Sequence, residues 1–123
     1  MRVEIPKIKI DIRNAIKDKA LREERKQQEN AVKNAWRAVY NAIADGGNKI
    51  AYWDAYRAKK PEYNSFIRYA LHRSTKREGF LQLSVMEIRN GEVIPTSDSQ
   101  HDSTEDFIDR RAWACGADMV TIL

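Results

Sequence analysis

The sequence is poor in cysteine and in long apolar runs. Its single cysteine, Cys115, cannot form an internal disulfide, which indicates a reducing compartment, so we expect a cytoplasmic protein. No apolar run approaches the roughly 18 residues that cross a membrane. The first residues also lack the apolar segment of a signal peptide. We therefore expect a protein without a membrane partner.

Catalytic motifs are missing as well. The sequence contains no phosphate-binding glycine loop, no nucleophile elbow, no zinc-protease helix and no paired-cysteine motif. We therefore expect a protein that is not an enzyme and that needs neither cofactor nor metal. A metal-dependent hydrolase or nuclease stays an open alternative, because a missing motif is only modest evidence.

An acidic segment, residues 97–109, is the nearest approach to a metal site. It holds six residues of metal-binding types in no established metal-binding spacing: Asp98, His101, Asp102, Glu105, Asp106 and Asp109. Acidic residues also collect at helix N-termini, because the helix dipole stabilises them there. We prefer that explanation and assign no metal ligand.

Charge is what the sequence does contain, and it is unevenly divided. The net charge is +4, from 22 basic and 18 acidic residues. Residues 1–78 hold 19 basic and 10 acidic residues, whereas residues 79–123 hold 3 basic and 8 acidic residues. This division predicts a basic surface that faces a polyanion or an acidic partner, unless the two halves neutralise each other inside the fold.

The hydrophobic pattern predicts one α+β domain over residues 1–123. Alternating isoleucines predict a short strand at 7–12. A long first helix follows, whose apolar stripe begins at Val32 and which ends at Gly46-Gly47. Helical spacing of apolar residues predicts two further helices, at about 49–59 and 61–76.

The last third of the chain predicts a β-hairpin, a helix and a terminal strand. Asn90-Gly91 is a two-residue hairpin turn that pairs Arg89 with Glu92, Ile88 with Val93 and Met86 with Pro95. A polar loop is expected at 97–103. Ser103 then caps a helix that runs to about Cys115, and residues 118–123 form a short strand that pairs with the hairpin or with the N-terminal strand.

The stretch REERKQQEN, residues 22–30, has no apolar side chain. If the helix continues through it, residues 1–30 form an arm that projects about 13 Å over this stretch. The alternatives are a helix break near Asn30 or a chain that folds back onto the core. An apolar tip on such an arm predicts a partner, either a second copy of the chain through the N-terminal helix or a different protein. The partner-binding residues are then Ile8, Ile10, Ile12, Ile16 and Leu21.

The predicted helix at 61–76 places Arg68, His72 and Lys76 four residues apart, which is a spacing that meets successive phosphates. Neighbouring tyrosines would stack on unpaired bases. The predicted nucleic-acid-binding residues are Arg57, Lys59, Lys60, Arg68, His72, Arg73, Lys76 and Arg77.

These features predict a small basic binding protein that is not an enzyme. It acts through a cationic helical surface on nucleic acid or on an acidic, nucleic-acid-handling protein complex. The alternative is a protein-binding regulator or inhibitor, of the kind that a phage or mobile element carries, which occludes a host protein with its N-terminal arm or its hairpin edge.

Overall fold

A computed structural model describes residues 1–56, 65–112 and 116–123 of the chain. These residues form three helices and six strands, and the predicted α+β class is confirmed. The elements are β1 (Arg2–Glu4), α1 (Ile12–Lys17), α2 (Lys19–Asp45), β2 (Ala51–Tyr56), β3 (Ser65–Arg73), β4 (Leu81–Arg89), β5 (Glu92–His101), α3 (Thr104–Arg110) and β6 (Met119–Ile122). Within these ranges no helix has both the length and the apolar character needed to cross a membrane.

The strands form one antiparallel sheet in the order β1-β6-β2-β3-β4-β5. The last strand lies between the first and the second, so that Val120 stands opposite Val3 and Ile122 stands opposite Ala51. Of the two pairings predicted for the terminal strand, with the hairpin or with the N-terminal strand, the structure has the second, but the N-terminal strand is β1 and not the strand predicted at 7–12. β1 and β5 form the two edges.

The second half of α2 packs on one face of the sheet. Its predicted apolar stripe is confirmed, because the buried residues of the helix are Val32, Trp36, Val39, Tyr40 and Ile43. The Trp36 ring meets Trp53 edge-on at 5.0 Å and Phe107 at 5.6 Å between centroids, which joins α2 to the sheet and to α3. The strand residues that face α2 in this core include Ala51, Trp53, Ile67, Leu71, Leu81, Leu83, Val120 and Ile122.

The helices predicted at about 49–59 and 61–76 are wrong over 51–56 and 65–73, where β2 and β3 lie. The parts of both predictions that fall on 57–64 lie outside the described residues. Ile67 and Leu71 are four residues apart, a separation that fits one face of a helix and one face of a strand equally well. Aromatic residues favour strands, and the rings of Trp53 and Tyr69 stack at 5.5 Å across the neighbouring strands β2 and β3.

The predicted hairpin is confirmed in all three pairs that the Asn90-Gly91 turn implies. Both turn residues have positive φ, 52° and 80°, as a type I′ turn requires. The polar loop predicted at 97–103 is wrong over 97–101, where β5 continues. The register shifts by one residue at Val85/Met86, because Thr96 is an extra residue in β5. The pairing of β4 with β5 therefore continues beyond Pro95.

The helix after β5 begins as predicted and ends early. The Ser103 hydroxyl accepts a hydrogen bond from the Asp106 N–H at 3.1 Å, which confirms the cap. α3 ends at Arg110. The predicted end at Cys115 lies outside the described residues.

The N-terminal elements differ from the prediction in position. The strand predicted at 7–12 is wrong, since β1 lies at Arg2–Glu4 and Asp11 caps α1 by accepting from the Arg13 N–H at 2.8 Å. Asp18 ends α1 and caps α2. The polar stretch 22–30 lies inside α2, which continues unbroken through Asn30.

Candidate partner-binding surface

The first half of α2 lies outside the hydrophobic core. Every buried residue of α2 lies at or beyond Val32, about 20 Å along the helix from its start at Lys19. Residues 9–17 run antiparallel beside this half, and we refer to residues 9–30 as the helical hairpin. Its two segments, residues 9–17 and 19–30, are joined at Asp18.

Two arginines of the polar stretch hold α1 in place. Arg22 donates to the carbonyl oxygens of Ala15 and Ile16 at 3.3 and 3.0 Å, near the C-terminus of α1. Carbonyl groups there lack partners within the helix. Arg25 donates to the carbonyl of Ile10 and forms an ion pair with Glu29 at 3.1 Å. Arg22 and Arg25 of the polar stretch 22–30 therefore hold α1 beside α2.

Gln28 holds the segment that precedes α1. Its side-chain oxygen accepts from the N–H groups of Lys9 and Ile10 at 2.9 and 3.3 Å. Asp11 then begins the helix, and its pKa is lowered mainly by the hydrogen bond from the Arg13 side chain. Residues 9–16 are therefore positioned by polar contacts with α2.

This arrangement turns two isoleucines toward solvent. Ala15, the buried residue of α1, is 4% exposed, whereas Ile12 and Ile16 are 58% and 67% exposed. They border a groove of about 310 Å³ between the two helices. The groove is lined by Ile12, Ala15, Ile16, Arg22, Arg25, Lys26 and Glu29. We call Ile12, Ile16 and this groove the α1 face.

Exposed cations surround the α1 face. Lys17, Lys19 and Lys26 are exposed, and among the described residues they form no ion pair. Asp11 pairs with Arg13 and Glu29 pairs with Arg25, whereas Glu23 and Glu24 on this half of α2 are exposed and form no ion pair among the described residues. The helical hairpin holds 7 basic and 5 acidic residues, so the α1 face is apolar at its centre and its surroundings carry a net positive charge.

The other predicted partner-binding residues are less exposed. Ile8 is half-buried and packs against the core, and Ile10 and Leu21 are also half-buried. Of the five, the structure therefore brings Ile12 and Ile16 together on one exposed helical face.

The predicted nucleic-acid-binding residues do not form a helical row. Arg68 and His72 lie on β3, on the sheet face opposite the core residue Leu71. Arg68 donates to both carboxylate oxygens of Asp54, at 2.8 and 3.1 Å, and this bonding raises the pKa of its guanidinium. His72 contacts the Ser84 hydroxyl at 3.0 Å.

The other described cations of that set lie at the end of β3 and in the turn that follows it, and each has a partner. Lys76 pairs with Asp98 at 3.0 Å, and Arg73 donates to the carbonyl of Ala44 at 2.8 Å, near the end of α2. Arg77 lies 3.9 Å from the ring centre of Phe80. Arg57, Lys59 and Lys60 lie outside the described residues.

The acidic segment holds a buried histidine. His101 is 0% exposed, and its Nδ1 lies 2.8 Å from Asp106, while its Nε2 lies 2.8 Å from the Ser99 hydroxyl. Sequence reasoning missed this contact because it placed residues 97–101 in a loop. In the part of the chain that the structure describes, no three metal-binding side chains lie close enough to share an ion.

No protein-family model, curated protein or solved structure matches this chain. The most distinctive geometry is a short helix held by polar contacts with its apolar residues outward.

Gln28→Ala is predicted to loosen the segment before α1. Each amide loses one hydrogen bond, which lowers the free energy of local opening by about 0.5–1.5 kcal/mol. The amides of Lys9 and Ile10 should therefore exchange with solvent roughly two- to tenfold faster. Hydrogen exchange followed by NMR measures both amides. The neighbouring exposed residue supplies the control variant, Gln27→Ala. Unchanged exchange in Gln28→Ala would contradict the proposed anchoring.

The buried histidine predicts acid-sensitive stability. Burial lowers the pKa of His101 below the ordinary value of about 6.5, against the opposing effect of the hydrogen bond that His101 donates to Asp106. Below pH 6.5 or so, the unfolded chain therefore binds a proton that the folded chain resists. The free energy of unfolding should fall as the pH decreases from about 7 to 5, as measured by denaturant titrations.

A variant that cannot take up the proton provides the control for this measurement. His101→Gln should flatten the dependence, and equal slopes in wild type and His101→Gln would refute the assignment. Asp106 affects the free energy of unfolding at lower pH. Partial burial raises its pKa, but hydrogen bonds from His101 and Arg110 outweigh burial and lower it. Its contribution is therefore lost below about pH 3.9, outside the measured window.

Proposed function

We propose that the chain is a binding protein that docks its α1 face onto an acidic surface of a partner protein. The observation that carries this proposal is the exposure of Ile12 and Ile16, at 58% and 67%, on a helix whose orientation is set by hydrogen bonds. Binding through this face requires no reaction from the chain. The role is that of a regulator or inhibitor that occludes its partner.

Preorganisation supports this proposal. Arg22, Arg25 and Gln28 fix the backbone beside and before α1 in the free protein. A partner that binds the α1 face therefore does not have to order it, and the entropy cost of binding is smaller. A helix that served stability alone would turn its isoleucines inward, because burying each one contributes about 1.5–3 kcal/mol.

The charge around the α1 face supports the choice of partner. An apolar centre with a charged rim is the usual anatomy of a protein interface. The rim lysines, Lys17, Lys19 and Lys26, complement carboxylates on the partner and speed association at low salt. A second copy of the chain presents the same net positive charge, 7 basic against 5 acidic residues in the helical hairpin, so net repulsion opposes a dimer formed face to face.

The double variant Ile12→Ser, Ile16→Ser is predicted to lose the partner. Each isoleucine that the partner buries contributes about 1.5–3 kcal/mol, so the affinity should fall at least about tenfold. The measurement uses a photoreactive residue at position 16 in extracts of the native cell, with crosslinked proteins identified by mass spectrometry. The expected product is one acidic protein, whose isolated form then gives the affinities.

Val93 supplies the matched control, since it is also 58% exposed but lies on β5. Val93→Ser should bind normally, and a photoreactive residue at position 93 should not capture the same protein. Lys17→Glu should weaken binding, whereas Lys49→Glu, beyond the end of α2, should not. Equal binding by the double serine variant and the wild type would overturn the proposal. A self-crosslink at position 16 would instead identify a dimer.

A second candidate function, binding of single-stranded nucleic acid, is favoured by one observation. The Arg68 guanidinium lies 5.9 Å from the Tyr52 ring centre and 5.3 Å from that of Phe66, on the sheet face opposite the α2 core. Aromatic and arginine side chains on a sheet stack with unpaired bases. Against this, Asp54 already engages Arg68. A salt-sensitive gel shift that persists in the double serine variant and is lost in Tyr52→Ala would favour this function.

A further inference from the structure

Three polar side chains beside α3 are joined in the order found in nucleophilic hydrolases. The Ser99 hydroxyl lies 2.8 Å from His101 Nε2, and His101 Nδ1 lies 2.8 Å from Asp106 Oδ2. A serine, a histidine and a carboxylate connected through these atoms form a nucleophile, a general base and the group that orients the base. The α1 face contributes nothing to this site, so the inference is independent of the proposed function.

The protonation states suit general-base catalysis. His101 is buried, with its ring nearly perpendicular to that of Phe107 at 5.4 Å between ring centres, and burial lowers its pKa, which keeps the ring neutral at neutral pH. A neutral ring that donates from Nδ1 to Asp106 leaves Nε2 free to accept the hydroxyl proton. Arg110 also donates to Asp106, at 3.2 Å, and helps to keep that carboxylate ionised.

The position of Ser99 gives it access to solvent and to a backbone donor. Ser99 is half-buried and lies on β5, the edge strand of the sheet. The carbonyl oxygen of the next residue, Gln100, accepts a hydrogen bond from Arg110 at 3.5 Å. This carbonyl group therefore points away from β4. In an antiparallel strand, the N–H of the same residue points the same way. The N–H after the nucleophile is a common donor to a developing oxyanion.

We propose that Ser99 is a nucleophilic serine that hydrolyses small carboxylic esters at the edge of β5. Its Oγ forms a bond to the ester carbonyl carbon while its proton passes to His101 Nε2. The bond from that carbon to the leaving alkoxide then breaks, and His101 returns the proton to the alkoxide. Water attacks the acyl-serine by the same route and releases the carboxylic acid, so no oxidant or further reactant is needed.

The test is covalent labelling of the full chain with diisopropyl fluorophosphate. Attack by Ser99 forms an oxygen–phosphorus bond, breaks the phosphorus–fluorine bond and releases fluoride. Peptide mass spectrometry should find the adduct on Ser99, with the rate rising with pH as His101 loses its proton. Hydrolysis of p-nitrophenyl acetate should show a burst of p-nitrophenolate from the same residue.

The variants separate catalysis from a structural contact. Ser99→Ala should abolish labelling, and His101→Gln and Asp106→Asn should slow it at least about a hundredfold. Ser97→Ala, two residues away on the same strand, should label normally. Circular dichroism checks that each variant is folded. If His101→Gln is unfolded, Asp106→Asn decides the question.

An unlabelled Ser99 in the folded wild-type chain would overturn the inference. So would a labelling rate that is the same in a folded Asp106→Asn variant. Neither result bears on the α1 face, whose test measures binding to a protein and not attack by a serine.

Discussion

Two arginine side chains donate hydrogen bonds to main-chain carbonyls of the segment beside them, and the outward position of α1 depends on those bonds. Arg22 serves carbonyls near the end of α1, and Arg25 serves the carbonyl of Ile10. A helix of six residues is unstable alone in water. Polar contacts near solvent contribute only about 0.5–1.5 kcal/mol each, so the helical hairpin should open more readily than the core.

Much of the fold could be predicted where one signal was unambiguous. The stripe from Val32 to Ile43 has a spacing that only a helix places on one face, and Asn90-Gly91 specifies both the turn and its register. The segments that were wrongly predicted as helices have a spacing of apolar residues that fits a helix and a strand equally well, as Ile67 and Leu71 show. There, pairing with distant strands decides the structure, and no local rule contains that information.

The candidate sites differ in how far the sequence could reveal them. Ile12 and Ile16 could be predicted as candidate partner-binding residues, because a polar stretch separates them from the apolar stripe of α2. Their anchoring could not, since it depends on arginines that meet backbone carbonyls across the helical hairpin. The contact of Ser99 with His101 needs a strand at 97–101, where the two side chains share a face. The Ser103 cap already placed Asp106 in the first turn of α3, and the missing signal was the register shift that carries β5 past Pro95.

Docking through the α1 face requires α1 to be folded against α2 with its isoleucines outward. The most direct measurement is NMR of isoleucine and alanine methyl groups with a soluble paramagnetic relaxation agent. The methyl signals of Ile12 and Ile16 should broaden strongly, while those of Ala15 and of the core residue Ile43 are spared, because these are 4% and 0% exposed. Protection of Ile12 and Ile16 would show that they are buried. Broadening of Ala15 together with them would show that α1 is detached, and either result would contradict the account.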